Sequence, residues 1–157
     1  MLESQTSLVS VIIPCHNQAR FLSEAIGSVL SQSYPLFEIV VVDDGSTDDT
    51  FEVATRYREV RCVRQINQGL SAARNAGLGA SKGSYLVFLD ADDRLLPHAL
   101  EAGVECLTAH PECAFVYGHL QFIVSDGSPL PTTKQARVEN IIVSSCYGAT
   151  IYGHRGL

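Results

Sequence analysis

Two short apolar runs, each ending abruptly in turn-forming polar sequence, limit what this chain can fold into more than any other feature. Residues 9–13 form a largely β-branched run closed by Pro14, and residues 38–42 form another closed by Asp43, Asp44 and Gly45. Strands without an exposed polar face belong in a sheet covered on both sides, as parallel sheets are. Between the two runs Phe21, Leu22, Ala25, Ile26, Val29 and Leu30 recur at three- and four-residue steps, which places one apolar stripe on a helix ended by Tyr34-Pro35. Ser46 followed by Asp49 has the spacing of a helix capping box, and Phe51, Ala54 and Tyr57 then share one face up to a short strand at 60–64. An Ala-rich helix over 70–80, a strand over 84–89 ending at Asp90, and a helix opened by Pro97 and stopped by Pro111 continue the alternation. The pattern predicts an α/β/α sandwich with a mainly parallel central sheet. Beyond it the rhythm changes to a long strand at 114–124, a turn at 125–128, a Pro/Thr-rich loop at 129–135, and short strands at 141–143 and 149–152 with no closing helix.

A chain of 157 residues with 46% hydrophobic and 18% charged positions suits one compact domain. Its net charge of −6 argues against a broad electrostatic grip on nucleic acid, so any anion it binds needs local help. No apolar run approaches the ~20 residues of a membrane span. Glu3 and the absence of a basic residue before the first apolar stretch do not fit a secretion signal, which makes a cytoplasmic location the expectation. Five cysteines without a Cys-x-x-Cys pair fit neither a disulfide framework nor a zinc site, and they read as ordinary thiols. Cys15 stands out only because it falls in a loop with candidate functional residues.

In open α/β sheets ligands bind outside the carboxyl ends of the strands, and the polar residues here cluster at those ends. Pro14, His16 and Asn17 follow the first strand, Asp43 and Asp44 the second, Asn67 and Gly69 the third, and Asp90, Ala91, Asp92 and Asp93 the fourth. Seven of the seventeen carboxylates fall in residues 43–49 and 90–93, so they must be spaced, protonated or balanced by a cation. Two carboxylates roughly 4 Å apart repel by about 4 kcal/mol at an effective dielectric near 20. A divalent cation is the simplest remedy. Asp90 and Asp92 offer it two hard oxygen ligands and leave positions for water and a diphosphate. Ser46, Asp48 and Asp49 are explained by helix capping, but Asp43, which precedes the turn, is not.

Six motifs then occur in order: Val11-Ile-Ile-Pro-Cys-His-Asn17, Ser28-Val-Leu-Ser-Gln32, Val41-Val-Asp-Asp-Gly-Ser-Thr-Asp48, Asn67-Gln-Gly69, Ala73-Arg-Asn-Ala-Gly77 and Phe88-Leu-Asp-Ala-Asp-Asp93. Together they resemble the family 2 glycosyltransferases over roughly residues 8–125. The resemblance implies a GT-A fold that binds a nucleotide-diphosphate sugar, a UDP-sugar as the first expectation, across the strand ends with Mn2+ or Mg2+. It implies sugar transfer, with inversion, to a hydroxyl of a saccharide or lipid-linked acceptor in polysaccharide biosynthesis, by a protein peripheral to the inner membrane face. Carried over position by position, Pro14 and His16 flank the nucleobase and Asp43 accepts a hydrogen bond from it. Arg74 neighbours the nucleotide, Asp92 holds the metal, Asp90 lies near the ribose or the ion, and Asp93 stands beside them. Asn17, Asp44, Asn67 and Ala91 complete the expected nucleotide-binding set.

The residue chemistry agrees with several of these roles. His16 has an aromatic face suited to stacking, and an ionised Asp carboxylate at neutral pH accepts a ring N–H. Family members continue to an acidic motif that supplies the catalytic base and to an acceptor-binding region. Neither is found here, and Glu139 and His154 are the only late candidates for a base. The expectation is a single domain over 1–157 truncated at its C-terminus, with a nucleotide-sugar-binding core at 8–125, the start of an acceptor side at 126–157, and the base beyond Leu157.

The alternative of another class is a non-catalytic nucleotide-binding module. A phosphoacceptor receiver domain fits less well, since its acidic pair follows the first strand. The loop after the first strand is neither the Gly-rich basic loop of a nucleotidyltransferase nor a Gly-x-Gly-x-x-Gly fingerprint.

Overall fold

The computed structural model describes residues 7–118 and the backbone of a further strand, Thr150–Gly153. The described chain runs β1 (Val9–Cys15), α1 (Ala19–Leu30), β2 (Phe37–Asp44), α2 (Thr50–Thr55), β3 (Val60–Gln65), α3 (Leu70–Ala80), β4 (Tyr85–Phe88), α4 (Ala99–Ala109), β5 (Phe115–Tyr117) and β6 (Thr150–Gly153). The sheet order is β3-β2-β1-β4-β6-β5. The first four strands are parallel, and β6 pairs antiparallel with both β4 and β5.

Strand alternation divides the core into two layers. Val9, Val11, Ile13, Ile39, Val41 and Val87 face one side, where Leu22, Ala25, Ile26 and Val29 of α1, Val53 and Ala54 of α2, and Ala99, Leu100 and Leu107 of α4 cover them. Ile12, Val40, Val42 and Leu86 face the other side, against Ala73 of α3. The expected three-layer arrangement is therefore present. Full burial of each Leu, Ile or Val contributes about 1.5–3 kcal/mol. Among the described residues no helix is long and apolar enough to cross a membrane.

Several local expectations are corrected. The helix after Ser46 is a single short piece, Thr50–Thr55, and Tyr57 packs on the core from beyond its end. Neither Ser46 nor Asp49 forms a capping box: Asp49 makes no side-chain cap bond, and the Ser46 hydroxyl accepts the Asn17 N–H at 3.0 Å. Of the three residues expected to cap, Asp48 does so. One of its oxygens accepts the backbone N–H of Thr50 and the other that of Ala19, so it caps the first turns of both α2 and α1. α4 begins at Ala99, with Pro97 placed before it to accept the Ser33 N–H. Within the long strand expected at 114–124, the described residues hold β5, Phe115–Tyr117, while 119–124 lie outside them, and the strand expected at 149–152 runs from Thr150 to Gly153. The turn at 125–128, the loop at 129–135, the strand at 141–143, Glu139 and His154 lie outside the described residues.

Pro14 lies in a central strand, where a missing N–H is usually costly. The ladder explains why it is tolerated. Leu8 and Ile12 direct their carbonyls to the β4 side, so position 14 faces that side too, and β1–β4 pairing has ended at Ile12. No donor is required there. β1 and β4 part at their carboxyl ends, which is also where the strand order reverses.

Gly77 sets how closely α3 approaches the sheet, because a Cβ there would stand 2.3 Å from Ile12 Cγ2. Gly79, two residues on in the same helix, would meet nothing within 4 Å. Gly77→Ala is expected to destabilise the fold by about 1–3 kcal/mol through overpacking. Gly79→Ala should be neutral or stabilising by up to about 1 kcal/mol. Chemical denaturation of the two variants checks this; equal stabilities would contradict the packing argument.

Candidate functional site

The parallel register brings the ends of β1, β2, β3 and β4 to one rim, with the loops that follow them. Every residue singled out there falls on that rim. Asp43 and Asp44 are the last two residues of β2 and both are buried, but alternation sends their side chains to opposite layers.

Asp44 turns toward α3 and is fully engaged. Its Oδ1 accepts from the Gln65 amide at 2.7 Å and the Gln68 N–H at 2.9 Å, and its Oδ2 accepts the Gly69 N–H at 2.8 Å. Burial pushes its carboxyl upward, but these donors together outweigh burial and hold it below the ordinary 3.8. Its main-chain oxygen lies 2.8 Å from His16 Nδ1. A carbonyl can only accept, so Nδ1 is the donor in that bond, and Nε2 lies 3.1 Å from the Asn67 amide and 3.2 Å from the Asn17 amide. Asn17 takes the left-handed conformation, φ 54°, and its amide oxygen accepts the Thr47 N–H at 2.8 Å. Gly45 is required where these loops meet, at φ 70° and with a Cβ position 2.5 Å from Asn67 N. The first three loops are thus held together by Asn17, Asp44 and Asn67.

Asp43 turns toward α2 and is 0% exposed. Its Oδ1 accepts the Ser46 N–H at 2.9 Å. Its Oδ2 carries no aligned hydrogen bond, although Arg64 Nε stands 3.1 Å away as an ion-pair partner. Cys15 and Cys62 lie in the same layer. Burial raises both thiols, Cys62 to about 11, and the Asp43 charge adds to the effect. Cys15 is therefore the buried last residue of β1 rather than part of the loop that follows.

Across the β1–β4 opening lies the acidic turn. The Asp93 N–H donates to the Asp90 carbonyl at 2.9 Å, which tightens it. Arg74 of α3 pairs with Asp90 at 2.9 Å, with the guanidinium carbon 5.9 Å from the Phe88 ring centroid. Ala91 is buried in the core, so its backbone is what it offers the rim. Asp92 is exposed and makes no hydrogen bond to a described residue. Asp93 is raised by burial and then by the charges of Asp92 and Asp90, the sign of a turn short of positive charge. Among the described residues no three His, Cys, Asp or Glu side chains group as a metal cage. The turn therefore offers two hard oxygen donors, Asp90 and Asp92. That set fits a divalent cation whose remaining positions go to an anionic ligand and water.

Several supporting residues had no role assigned from sequence. Gln32, at the end of the Ser28-to-Gln32 motif, donates to the Leu96 carbonyl at 2.7 Å and accepts the Leu100 N–H at 3.0 Å. The Ser28 hydroxyl accepts the Leu95 N–H at 3.0 Å, and Arg94 pairs with Glu24. The segment after the acidic turn is thereby fastened to α1. The motif itself was the signal for these contacts. Arg64 and Gln65, at the end of β3, carried none.

Comparison with known proteins places this geometry in context. The family model described as "Glycosyl transferase family 2" matches residues 10–155. An uncharacterised glycosyltransferase of Nostoc sp. is 48% identical over 102 residues, which is 62% of this chain and 32% of that protein. A crystal structure of Staphylococcus aureus TarS in complex with UDP-GlcNAc superposes with a TM-score of 0.73 at 25% identity, covering 93% of this chain and 45% of that one. A mannosyltransferase from Pyrobaculum calidifontis in complex with GDP-Man and Mn2+ gives 0.70 at 29% identity, over 75% of this chain and 37% of that one. The chain thus spans about a third of the length of its Nostoc relative and under half of either solved chain. The fold is GT-A.

Asp44→Asn would set an amide against one of the N–H donors that Asp44 now accepts, and should cost on the order of 2–3 kcal/mol. Because the native carboxyl lies below 3.8, the wild-type advantage is present above about pH 4 and disappears as pH falls through the lower native value. Denaturation of both proteins from pH 7 to pH 2 should show the two stabilities converging in acid.

Proposed function

The chain belongs to glycosyl transferase family 2, and from that membership we propose that its rim binds a nucleotide-diphosphate sugar whose sugar is transferred, with inversion, to a hydroxyl acceptor. The observation that carries the reading is the Asp43 carboxylate, buried at a strand end with one oxygen lacking an aligned hydrogen bond. Such an oxygen calls for a donor, and a nucleobase ring N–H is one. His16, held by its contacts with Asp44, Asn67 and Asn17, follows directly on β1, two residues beyond Pro14. These two residues flank the base in this reading, and Asp44 shapes the loop around it.

The diphosphate lies across the β1–β4 opening, toward Arg74 and the acidic turn. Asp90 and Asp92 would hold a divalent cation, and Ala91 would contribute backbone. The bound cation supplies positive charge for the departing nucleotide diphosphate. Arg74, already paired with Asp90, offers guanidinium N–H groups to the same phosphates. Inversion requires a single displacement, with a general base removing the acceptor hydroxyl proton. No described residue is assigned that role. The complexes of the solved relatives with UDP-GlcNAc and with GDP-Man and Mn2+ support the donor class and the cation.

Calorimetric titration with UDP and GDP, each with and without Mn2+, tests the assignment. Binding should be metal-dependent, and Asp92→Ala should remove the metal-dependent part. Asp43→Ala should weaken nucleotide affinity roughly ten-fold or more, since it deletes a charged hydrogen-bond acceptor. Wild-type affinity in both variants would reject the site.

A further inference from the structure

Arg64 lies beside the candidate base site, and nothing in the family motifs assigns it a task. It sits on β3 directly opposite Asp43 in the β2–β3 register, with Nε 3.1 Å from Asp43 Oδ2. Its guanidinium carbon stands 5.0 Å from the centroid of the Phe51 ring on α2, so an aromatic face supports the side chain while it leans over the carboxylate. Arg64 is 57% exposed and Asp43 is not exposed at all. The pair thus runs from solvent to a buried charge.

A carboxylate buried with a single hydrogen bond, here from Ser46, calls for a further donor or an opposite charge. Of the groups facing Asp43, Cys15 on β1 and Cys62 on β3 are neutral thiols, and Arg64 forms the ion pair. We propose that Arg64 is a positioning residue for nucleobase recognition: by pairing with Asp43 it sets an opposite charge beside the buried carboxylate and aims Oδ2 at the ring N–H of the base. The ligand class it selects is a nucleotide whose base carries such an N–H, as uracil, thymine and guanine do and adenine and cytosine do not. The inference rests on Asp43 accepting that N–H, and the test separates the two ideas.

The experiment crosses protein variants with a ligand that lacks the N–H. Affinities for UDP and for N3-methyl-UDP, in the presence of Mn2+, are compared in wild type, Arg64→Met, Arg64→Lys and Asp43→Asn; GDP and N1-methyl-GDP replace them if GDP binds more tightly. Wild type should prefer the unmethylated nucleotide by roughly ten-fold, the effect of one hydrogen bond to a charged acceptor. Arg64→Met should lose most of that preference, and Arg64→Lys should restore part of it by returning the charge. A merely structural role would weaken both nucleotides alike. If Arg64→Met keeps the wild-type preference, or binds UDP more tightly, while Asp43→Asn loses the preference, the Arg64 inference falls and the base-site reading stands. If Asp43→Asn also keeps it, both fall. Should Arg64→Met not fold, Arg64→Gln, uncharged but still polar, is read by the same criteria.

Discussion

Two adjacent carboxylates buried at the end of one strand are the constraint from which the rim is built. A buried charge must be met by donors or by an opposite charge. Because neighbouring side chains in a strand face opposite layers, Asp43 and Asp44 cannot share a solution. Asp44 is satisfied by folding the chain after β3 back over itself, so that Gln65, Gln68 and Gly69 all donate to it. Asp43 is met only in part: the turn at Ser46 donates to one oxygen, and a guanidinium from the neighbouring strand sets its charge beside the other, which carries no aligned hydrogen bond. The loops of the rim take their shape from these bonds, and His16, bonded to the Asp44 carbonyl, is positioned along with them.

The rest of the rim shows how an acidic protein arranges its few cations. Arg64, Arg74 and Arg94 each pair with a carboxylate within or beside the site. Asp92 is left exposed, next to an Asp93 whose carboxyl resists ionisation. This division gives the two sides of the rim different chemistry. The side near β2 and β3 is neutralised and hydrogen-bonded, suited to a flat polar ring. The side near β4 retains uncompensated negative charge, suited to a cation and, through it, to an anion.

The sequence revealed this architecture as far as periodicity and register reach. The apolar runs of β1 and β2 and the stripe on α1 specify elements directly, and parallel order then places Asn17, Asp43, Asn67 and Asp90 at one rim without further information. Short-range reasoning failed where a side chain serves a distant partner. Ser46 and Asp49 have the spacing of a helix cap, yet Ser46 accepts from Asn17; Asp48 caps α2 as its position suggests and also caps α1, which its position does not reveal. Arg64 looks like any charged residue on a strand until β2 is laid beside it. Gln32 is marked by its motif, but its role becomes visible only when the start of α4 is laid beside it. For Ser46, Arg64 and Gln32 the partner is far along the chain, and periodicity alone does not identify it.

The attachment of the 94–100 segment to α1 has a consequence for ligand capture. Held by Ser28, Gln32 and Glu24, the stretch leaving the acidic turn is tied to the scaffold. A ligand seated there finds one end of the turn already ordered, and little conformational entropy is lost in arranging it. Affinity then depends on how well the charges match, and discrimination between similar ligands is a matter of fit to a rigid edge.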